Sequence, residues 1–245
     1  MTLKKYIPSG IKQSIKKMKN NILYRGNKRF CPICNKTSSH FTETGLVVRK
    51  DAKCPHCGSL ERHRLSWLFL TNKIDFFNKN SKKMLHVAPE STFKLKLKKY
   101  LGDRYIASSF SGLNATVQMD ITDIKYDDET FDVIYCSHVL EHIQNDKQAM
   151  QELFRVLKSS GWAILLVPID GEKTYEDFSI IDPEERLKHF GKEDHVRCYG
   201  RDYIERLRSV GFKVKLFKVS DIVDKDEEIK MGLTPASGDI YYCTK

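Results

Sequence analysis

The sequence contains no long apolar run and no signal-peptide pattern. No stretch approaches the roughly 18 apolar residues that a membrane-spanning helix requires. Apolar residues make up 40% of the chain and charged residues 30%, as in an ordinary soluble globular protein. These features exclude a helical membrane-spanning protein, and we expect the chain to be cytoplasmic.

Acidic residues are missing from the beginning of the chain. Residues 1–30 contain nine Lys and Arg but no Asp or Glu, so they account for nearly all of the net charge of +10. The remaining residues carry about +1 in total. Because this body is close to neutral, the pI near 9.1 does not by itself indicate a nucleic-acid enzyme.

The basic start also carries an apolar stripe with helical spacing. Ile7, Ile11, Ile15, Met18 and Ile22 recur every three or four residues. A basic amphipathic helix can lie on an anionic membrane surface, so residues 1–24 are a candidate for peripheral contact with the inner face of a membrane. Two alternatives stay open: a helix that packs on the protein and exposes its lysines, or a disordered basic tail.

Disulfides are not expected in a cytoplasmic protein, which leaves metal binding as the usual role of paired cysteines. Cys31 and Cys34 form "CPIC", Cys54 and Cys57 form "CPHC", and nineteen residues separate the pairs. Four thiolates close a tetrahedral shell without an open position, which is typical of a structural Zn²⁺ site. We therefore predict a small N-terminal zinc knuckle in a segment too small to fold alone.

Redox dithiols and unrelated free cysteines are the alternative interpretations of these pairs. His40, His56 and His63 are available as replacement ligands, although none is needed. Directly after the second pair, "GSLERHR" places Glu61, Arg62, His63 and Arg64 at the start of a predicted helix. This cluster is either a solvated surface or a contact for an anionic substrate.

Strand and helix patterns alternate from residue 82 onward. The alternation predicts an α/β fold with a mostly parallel sheet and helices on both faces. Only a short irregular segment separates the last two strands, so we expect them to form an antiparallel hairpin at one edge, with one antiparallel edge strand. The predicted strands are Met84–Ala88, Tyr105–Ser108, Ala115–Met119, Phe131–Cys136, Trp162–Val167, Phe212–Val219 and Asp239–Cys243, and the predicted helices cover 59–78, 92–100, 146–157 and 201–210.

Glycine is missing from the turn after the first of these strands, where nucleotide-binding α/β folds usually have several. The turn reads "LHVAPES", with Ala88, Pro89 and Glu90 at its centre. The departure raises the question of whether such a turn still binds a nucleotide-like cofactor.

Residues 119–168 resemble the class I S-adenosylmethionine (SAM)-dependent methyltransferases. Asp120 lies twelve positions before Asp132 of "FDVI", "SHVLEHI" matches the segment after strand four, and "ELFRVLKSSGW" matches the helix and turn before strand five. The resemblance covers about residues 82–245 and implies a Rossmann-like seven-stranded methyltransferase sheet. "HxAPE", the cysteine knuckle and "DHVRxYG" resemble a bacterial branch of the family.

The chain is thereby divided into three segments. Residues 1–30 are the basic amphipathic segment, residues 31–80 are the zinc knuckle with a linking helix, and residues 81–245 are the predicted methyltransferase domain.

The resemblance also implies a cofactor site. Asp120 would accept a hydrogen bond from the adenine amino group, Ile121 would flank the ring, and Ser137 and His138 would lie at the sulfonium end. SAM has no pyrophosphate, so a turn without glycine is compatible with it, and Glu90 would bind its ammonium group while backbone N–H groups bind its carboxylate. The predicted cofactor-binding residues are His86, Ala88, Glu90, Ser108, Asp120, Ile121, Ser137 and His138.

An acid that usually binds the ribose hydroxyls after strand two is also missing. Ser108, Ser109 and Phe110 stand there instead. Two interpretations follow: a divergent but active branch, or a relative with the same fold that has lost SAM.

Residues 169–200 form an insertion after strand five that is much longer than a direct connection. Insertions at this edge of a sheet often build the active site. We predict His195 as a general base oriented by Asp194, with His138 as the alternative base, and Arg197 as a clamp for an anionic group. The other interpretation of "DHVRCYG" is a structural turn with Arg197 in a salt bridge.

Other polar residues of the matched segment are interpreted as structural. Asp132 stands near a strand start, Cys136 is a buried strand residue, and Glu141 and His142 cap or pack the following turn.

Three functions remain as alternatives. The first is transfer of a methyl group to a hydroxyl of a small-molecule or glycan-type, anionic acceptor, in surface polysaccharide biosynthesis for example. The second is RNA methylation, in which the knuckle and basic arm bind phosphates. Against it, the body is nearly neutral and has no recognisable base-stacking platform. The third is a non-catalytic scaffold. The sequence does not indicate the oligomeric state.

Overall fold

The structure is a computed structural model and describes residues 9–74, 76–77 and 82–245. The chain divides into two compact units, Met1–Asp75 with Val219–Ser237 and Phe76–Lys218 with Gly238–Lys245. The sequence places the whole of 81–245 in one domain and does not indicate that Val219–Ser237 joins the first unit.

The first unit contains two small antiparallel hairpins between helices. One hairpin pairs Arg29–Cys31 with Lys36–Ser38, and the other pairs Thr42–Thr44 with Arg49–Lys53. Each pair of cysteines lies at the end of one of these hairpins. The helices of this unit are Ser9–Leu23, Glu61–Asn72 and Lys225–Lys230, with a short 3₁₀ turn at Pro235–Ser237.

The apolar stripe of the first helix is only partly within the described residues. Ile7 lies outside them, and the structure does not describe the side chain of Ile11. The side chains of Ile15, Met18 and Ile22 are exposed. These three residues therefore do not pack the helix against the protein, and contact of residues 1–24 with a membrane stays a prediction.

Seven strands form one sheet in the second unit. Their order across the sheet is β6-β7-β5-β4-β1-β2-β3. Strands β1 to β5 pair in parallel, and β7 is antiparallel to both of its neighbours. In chain order the strands are β1 (Met84–Val87), β2 (Tyr105–Ser109), β3 (Val117–Gln118), β4 (Phe131–Ser137), β5 (Leu157–Leu166), β6 (Lys213–Phe217) and β7 (Ile240–Thr244).

The centre of this sheet is apolar on both faces. All four residues of β1 and six of the seven in β4 are buried. Continuous apolar strands are expected where a parallel sheet is covered on both sides. The helices of this unit are Ser91–Leu101, Asp146–Val156, Pro183–Phe190 and Tyr203–Ser209. The α/β fold with a mostly parallel seven-stranded sheet is confirmed.

Two details of the predicted sheet are wrong. The last two strands form the predicted antiparallel hairpin at one edge, but its antiparallel strand β7 is not the edge strand, because β6 pairs with it on the outer side. The strand predicted over Ala115–Met119 is reduced to the two residues of β3. In addition, the segment between β6 and β7 is not short and irregular but contains the helix Lys225–Lys230 and belongs to the first unit.

The insertion 169–200 folds into a small substructure of its own. Tyr175–Glu176 pairs antiparallel with Arg197–Cys198, and the helix Pro183–Phe190 lies between them in the chain. Asp182 caps this helix by accepting hydrogen bonds from two backbone N–H groups, and Gly191 ends it at a φ of 75°, in the left-handed region that favours glycine.

Within the described part of the chain, no helix combines the length and the apolar character that crossing a bilayer requires.

Candidate functional site

Strands β1, β2 and β4 end side by side at one edge of the sheet. Val87 pairs with Ser108 of β2 and with Cys136 of β4. Ala88, Ser108 and Ser137 are therefore neighbours along the carboxyl edge, where doubly wound sheets bind ligands. The structure brings these three predicted residues together.

The two turns that leave this edge have an unusual backbone. Ala88 after β1 has a φ of 47° and His138 after β4 has a φ of 56°. A left-handed conformation costs a residue other than glycine about 1 kcal/mol. The N–H of Ala88 donates to Ser108 O over 2.7 Å, and that of His138 donates to Leu166 O over 2.8 Å. These bonds hold both turns against the neighbouring strands.

His86 lies within β1 and is fully buried. Its Nε2 lies 3.1 Å from Oε2 of Glu90, and its Nδ1 lies 2.7 Å from the hydroxyl of Tyr105. A carboxylate can only accept, so Nε2 donates the proton to Glu90. The predicted direct contact of His86 with a cofactor does not fit this geometry, and His86 instead positions Glu90.

Tyr105 is a residue that sequence reasoning missed. It begins β2 and is buried, and this burial, together with the charge of Glu90, raises the pKa of its hydroxyl. The only signal in the sequence is a tyrosine in place of an aliphatic residue at the start of a core strand.

Asp120 and Ile121 follow the short strand β3. Asp120 is exposed, and its Oδ1 accepts hydrogen bonds of 2.8 Å from the backbone N–H and the hydroxyl of Thr122. Ile121 is buried and presents no open face to a ring. Phe110, whose carbonyl accepts from Gln118 Nε2, is exposed by 74% and is the apolar ring available near the end of β3.

Two hydroxyls at the carboxyl edge are buried without a hydrogen-bond partner among the described residues. They are Ser108 Oγ at the end of β2 and Ser137 Oγ at the end of β4. Buried polar groups in proteins nearly always have a partner. A polar ligand at this edge would supply the missing bonds, so the residues present fit a cofactor such as SAM.

His138 and Glu141 lie on the turn after β4. The ring of His138 is about one-third exposed, and its Nδ1 is 3.2 Å from Oε1 of the buried Glu141. Burial alone would raise the pKa of Glu141, but His138 holds it below its ordinary value. His138 is thus partly exposed on the turn that leaves the carboxyl edge.

His195 of the insertion lies next to His142 of the same turn. The two rings meet edge to face with centroids 4.7 Å apart. The backbone N–H of Val196 donates to Glu141 O over 3.0 Å, which joins the insertion to the turn. Burial lowers the pKa of His195. Asp194 does not orient His195, because its carboxylate lies 3.3 Å from His142 Nδ1 instead.

Arg197 is fully buried and cannot clamp an acceptor as predicted. Its guanidinium donates to three backbone carbonyls of the turn after β4 and to Oε2 of Glu176, over 2.5 to 2.9 Å. The salt-bridge interpretation of "DHVRCYG" therefore fits Arg197. The three carbonyls belong to Leu140, Ile143 and Gln144.

Asp132 and Cys136 have the structural positions that the sequence predicts. Partial burial alone would raise the pKa of Asp132, but hydrogen bonds from Lys158 Nζ and the Lys83 backbone N–H hold it below its ordinary value. Cys136 is fully buried, and this burial raises the pKa of its thiol.

The four paired cysteines converge in the first unit. One Sγ from each of Cys31, Cys34, Cys54 and Cys57 lies within 4.8 Å of the other three. Two of these distances run between the pairs, with 3.6 Å from Cys31 to Cys57 and 3.8 Å from Cys34 to Cys54. Bonds of about 2.3 Å to a tetrahedral Zn²⁺ place sulfurs roughly 3.8 Å apart. The residues present therefore fit a zinc ion.

Arg64, near the knuckle, is also buried rather than available to a substrate. Its guanidinium donates to four backbone carbonyls, over 2.6 to 3.0 Å. Glu61 is buried and pairs with Arg49 at 3.0 Å. Neither Glu61 nor Arg64 is therefore free for an anionic ligand. The carbonyls that bind Arg64 belong to Ala52, Ser59, Met231 and Gly232.

Residues 79–165 match a family model described as a methyltransferase domain. The match covers 87 of the 245 residues, from just before β1 to the end of β5. It includes the carboxyl edge built by β1, β2 and β4. The cysteine knuckle and the insertion 169–200 lie outside it.

The chain is also similar to two uncharacterized proteins of Methanocaldococcus jannaschii. One is 30% identical over 105 residues, which is 41% of this chain and 43% of the relative. The other is 34% identical over 119 residues, which is 45% of this chain and 54% of the relative. The chain spans about half the length of the curated relatives that it matches.

Solved structures with a similar architecture share little sequence with this chain. A SAM-dependent methyltransferase from Archaeoglobus fulgidus is 16% identical, with 77% of this chain and 95% of that chain covered and a TM-score of 0.49. An S-adenosylmethionine-dependent methyltransferase from Mesorhizobium loti is 8% identical, with coverages of 68% and 92% and a TM-score of 0.48.

Proposed function

We propose that this chain, whose residues 79–165 match a methyltransferase domain, is a methyltransferase that uses SAM at the carboxyl edge of its sheet. The observation that carries the proposal is the pair of buried hydroxyls of Ser108 and Ser137, which have no partner among the described residues. Both lie where a doubly wound sheet binds its ligand. A polar cofactor there would complete their hydrogen bonds.

Each part of the cofactor has a candidate partner in the chain. The carboxylate of Glu90, held by His86, would bind the ammonium group. The first N–H groups of the helix Ser91–Leu101 have no partner within the helix and would bind the carboxylate. Asp120 would accept from the adenine amino group. Bound SAM supplies an electrophilic methyl group.

We propose a hydroxyl of a small-molecule or glycan-type compound as the acceptor. A hydroxyl must lose its proton during methylation, and a histidine at the carboxyl edge is the natural group to accept it. His138 is partly exposed there, and His195 is joined to the same turn through Val196. Because Arg197 is buried, it does not support the prediction that the acceptor is anionic. A role in surface polysaccharide biosynthesis stays a prediction.

The cofactor assignment is tested by calorimetric titration of the full chain with SAM. We expect binding by the native sequence and an affinity lower by about tenfold or more in Asp120→Ala, because a hydrogen bond to a charged group contributes roughly 1.5–3 kcal/mol. Asp123→Ala is the matched control, since Asp123 is also exposed and lies three residues away.

Unchanged affinity in Asp120→Ala would remove the adenine assignment. A native chain that does not bind SAM would overturn the proposed function and favour a non-catalytic scaffold. Binding of RNA that weakens steeply as the salt concentration rises, together with SAM binding, would favour RNA methylation instead.

We propose that the four converging cysteines hold a structural Zn²⁺ ion. The sulfur distances between Cys31 and Cys57 and between Cys34 and Cys54 support a tetrahedral site. All seven cysteines are free thiols, so no disulfide competes for these ligands.

A further inference from the structure

A second group of metal-type ligands lies at the turn after β4. Glu141 and His142 of this turn and His195 of the insertion each place one ligand atom within 4.8 Å of the other two. The group is in the second unit, whereas the four cysteines are in the first. The two clusters are therefore separate sites.

Glu141 is the unusual member of this group. Its side chain is 1% exposed, and neither carboxylate oxygen accepts a well-formed hydrogen bond from any residue that the structure describes. His138 Nδ1 lies 3.2 Å from Oε1. Burying a carboxylate is costly unless a positive charge or hydrogen bonds compensate it. Oε2, the second carboxylate oxygen of Glu141, therefore needs a positive group to offset the cost of its burial.

Both histidines of the group have the same tautomer. Nδ1 of His195 is 3.2 Å from Phe190 O, and Nδ1 of His142 is 3.1 Å from Asp194 O. A carbonyl oxygen can only accept, so each Nδ1 carries a proton. Each neutral ring then has its lone pair on Nε2.

This arrangement is the one that proteins use around metal ions. A metal-binding imidazole usually donates its other ring N–H to a backbone carbonyl or a carboxylate, which fixes the ring and its tautomer. Here His142 has both acceptors, because the Asp194 carboxylate lies 3.3 Å from the same Nδ1. The group therefore offers two imidazole lone pairs and one carboxylate as metal ligands.

We propose that Glu141, His142 and His195 bind one divalent first-row transition-metal ion. Two imidazoles and one carboxylate are a set that suits such ions and leaves positions open for other ligands. Bonds of about 2.0–2.2 Å allow ligand atoms to be at most roughly 4.4 Å apart, so the group needs only a small closing movement of its two half-buried histidine side chains.

The role of this ion rests on the proposed function. An acceptor hydroxyl would occupy an open position on the ion, which would orient the oxygen and favour loss of its proton. His195 then acts as a ligand, and His138, on the same turn, is the remaining histidine to accept the proton. Acceptors with two adjacent hydroxyls, which chelate an ion, are the substrate class that this site favours.

The metal site is tested without SAM or acceptor, by adding Mn²⁺ to the full chain that carries a single zinc ion, in its cysteine site. The loss of the electron paramagnetic resonance signal of free Mn²⁺ measures binding. We expect one Mn²⁺ per chain, and an affinity lower by about 100-fold in Glu141→Gln and His195→Gln, since even the groups that support ligands contribute about 10- to 100-fold.

His189→Gln is the matched control. His189 is an exposed histidine of the same insertion and is not part of the cluster, so this variant should bind Mn²⁺ as the native chain does. Circular dichroism of each variant separates loss of the ligand from loss of the fold. Absence of Mn²⁺ binding by the native chain, or native affinity in both folded ligand variants, would overturn the proposal. Because SAM binding is measured separately, either proposal can fail alone.

Discussion

Two arginine side chains show that residue type alone does not predict an anion-binding site. Arg64 and Arg197 stand in charged clusters whose composition favours anion binding, yet both guanidinium groups are buried. Each donates to several backbone carbonyls of irregular segments. Buried carbonyls outside helices and sheets need donors, and a guanidinium has five N–H groups in a fixed fork. Both arginines thus donate the hydrogen bonds that these carbonyls would otherwise accept from backbone N–H groups in a helix or a sheet.

The charge of Asp132 should contribute measurably to the free energy of unfolding. Its folded-state pKa is below the ordinary value because Lys158 and the Lys83 N–H bind the carboxylate. A carboxyl group of this kind stabilises the fold above its unfolded pKa of about 3.9, and the contribution is lost as the pH falls through the lower folded-state pKa. We expect Asp132→Asn to lower the free energy of unfolding by about 1 kcal/mol at neutral pH.

Urea unfolding of both proteins across the acid range checks this prediction. The difference between the native chain and Asp132→Asn should disappear in strong acid. Asp103→Asn is the matched control, because Asp103 is fully exposed and pairs with Lys98 only at 3.5 Å. A difference that persists in acid would mean that the ion pair is not its cause.

At the scale of elements, the insertion 169–200 is joined to the turn after β4 through one buried network. Arg197 bridges the turn carbonyls and Glu176, while Tyr199 donates to Asp146 over 2.6 Å and Arg206 pairs with the same carboxylate at 2.8 Å. The motif "DHVRCYG" is therefore the anchor of the insertion. The two histidines of the proposed metal site come from the two elements that this network joins.

We expect Arg197→Met to destabilise the second unit strongly. The substitution leaves three carbonyls without their donor and removes the charge next to Glu176, and breaking a buried ion pair costs about 3–5 kcal/mol. Thermal unfolding measures the loss, and limited proteolysis shows whether residues 169–200 become accessible.

Arg201→Met is the control for this change, since Arg201 is exposed and forms its ion pair with the exposed Glu172. A stable Arg197→Met variant with weaker acceptor binding would instead support the anion clamp.

At the scale of the whole molecule, the chain has two units with different sources of stability. The second has a large apolar core around a seven-stranded sheet. The first has hairpins of three to five residues per strand around four cysteines. So small a core rarely suffices without a metal ion or another cross-link.

Removal of zinc should therefore unfold the first unit selectively. We expect about one zinc ion per chain by elemental analysis. Chelation should raise hydrogen exchange over the described part of 9–74 and over 219–237, with β1, β4 and β5 still protected. Cys54→Ser should act as chelation does, and Cys198→Ser, outside the cluster, is its control. Unchanged exchange after complete chelation would contradict a structural role for the metal.

Much of this architecture follows from local patterns along the chain. The alternation of strands and helices predicts the sheet because buried parallel strands must be apolar throughout. The spacing of the two cysteine pairs predicts that they converge, because each tight turn presents two thiols to one point. The strand predicted over Ala115–Met119 places Asp120 directly after it, and the structure has Asp120 exposed after β3.

Contacts between residues far apart in sequence were decided only by the tertiary structure. No local pattern indicates that β7 inserts between β6 and β5, that Val219–Ser237 returns to the cysteine unit, or that His195 meets Glu141 and His142. Hydrophobic periodicity reports which face of an element is buried, but not which distant segment covers it. His86 and Arg197 are buried by segments distant in sequence. Their supporting roles could therefore be recognised only from the tertiary structure.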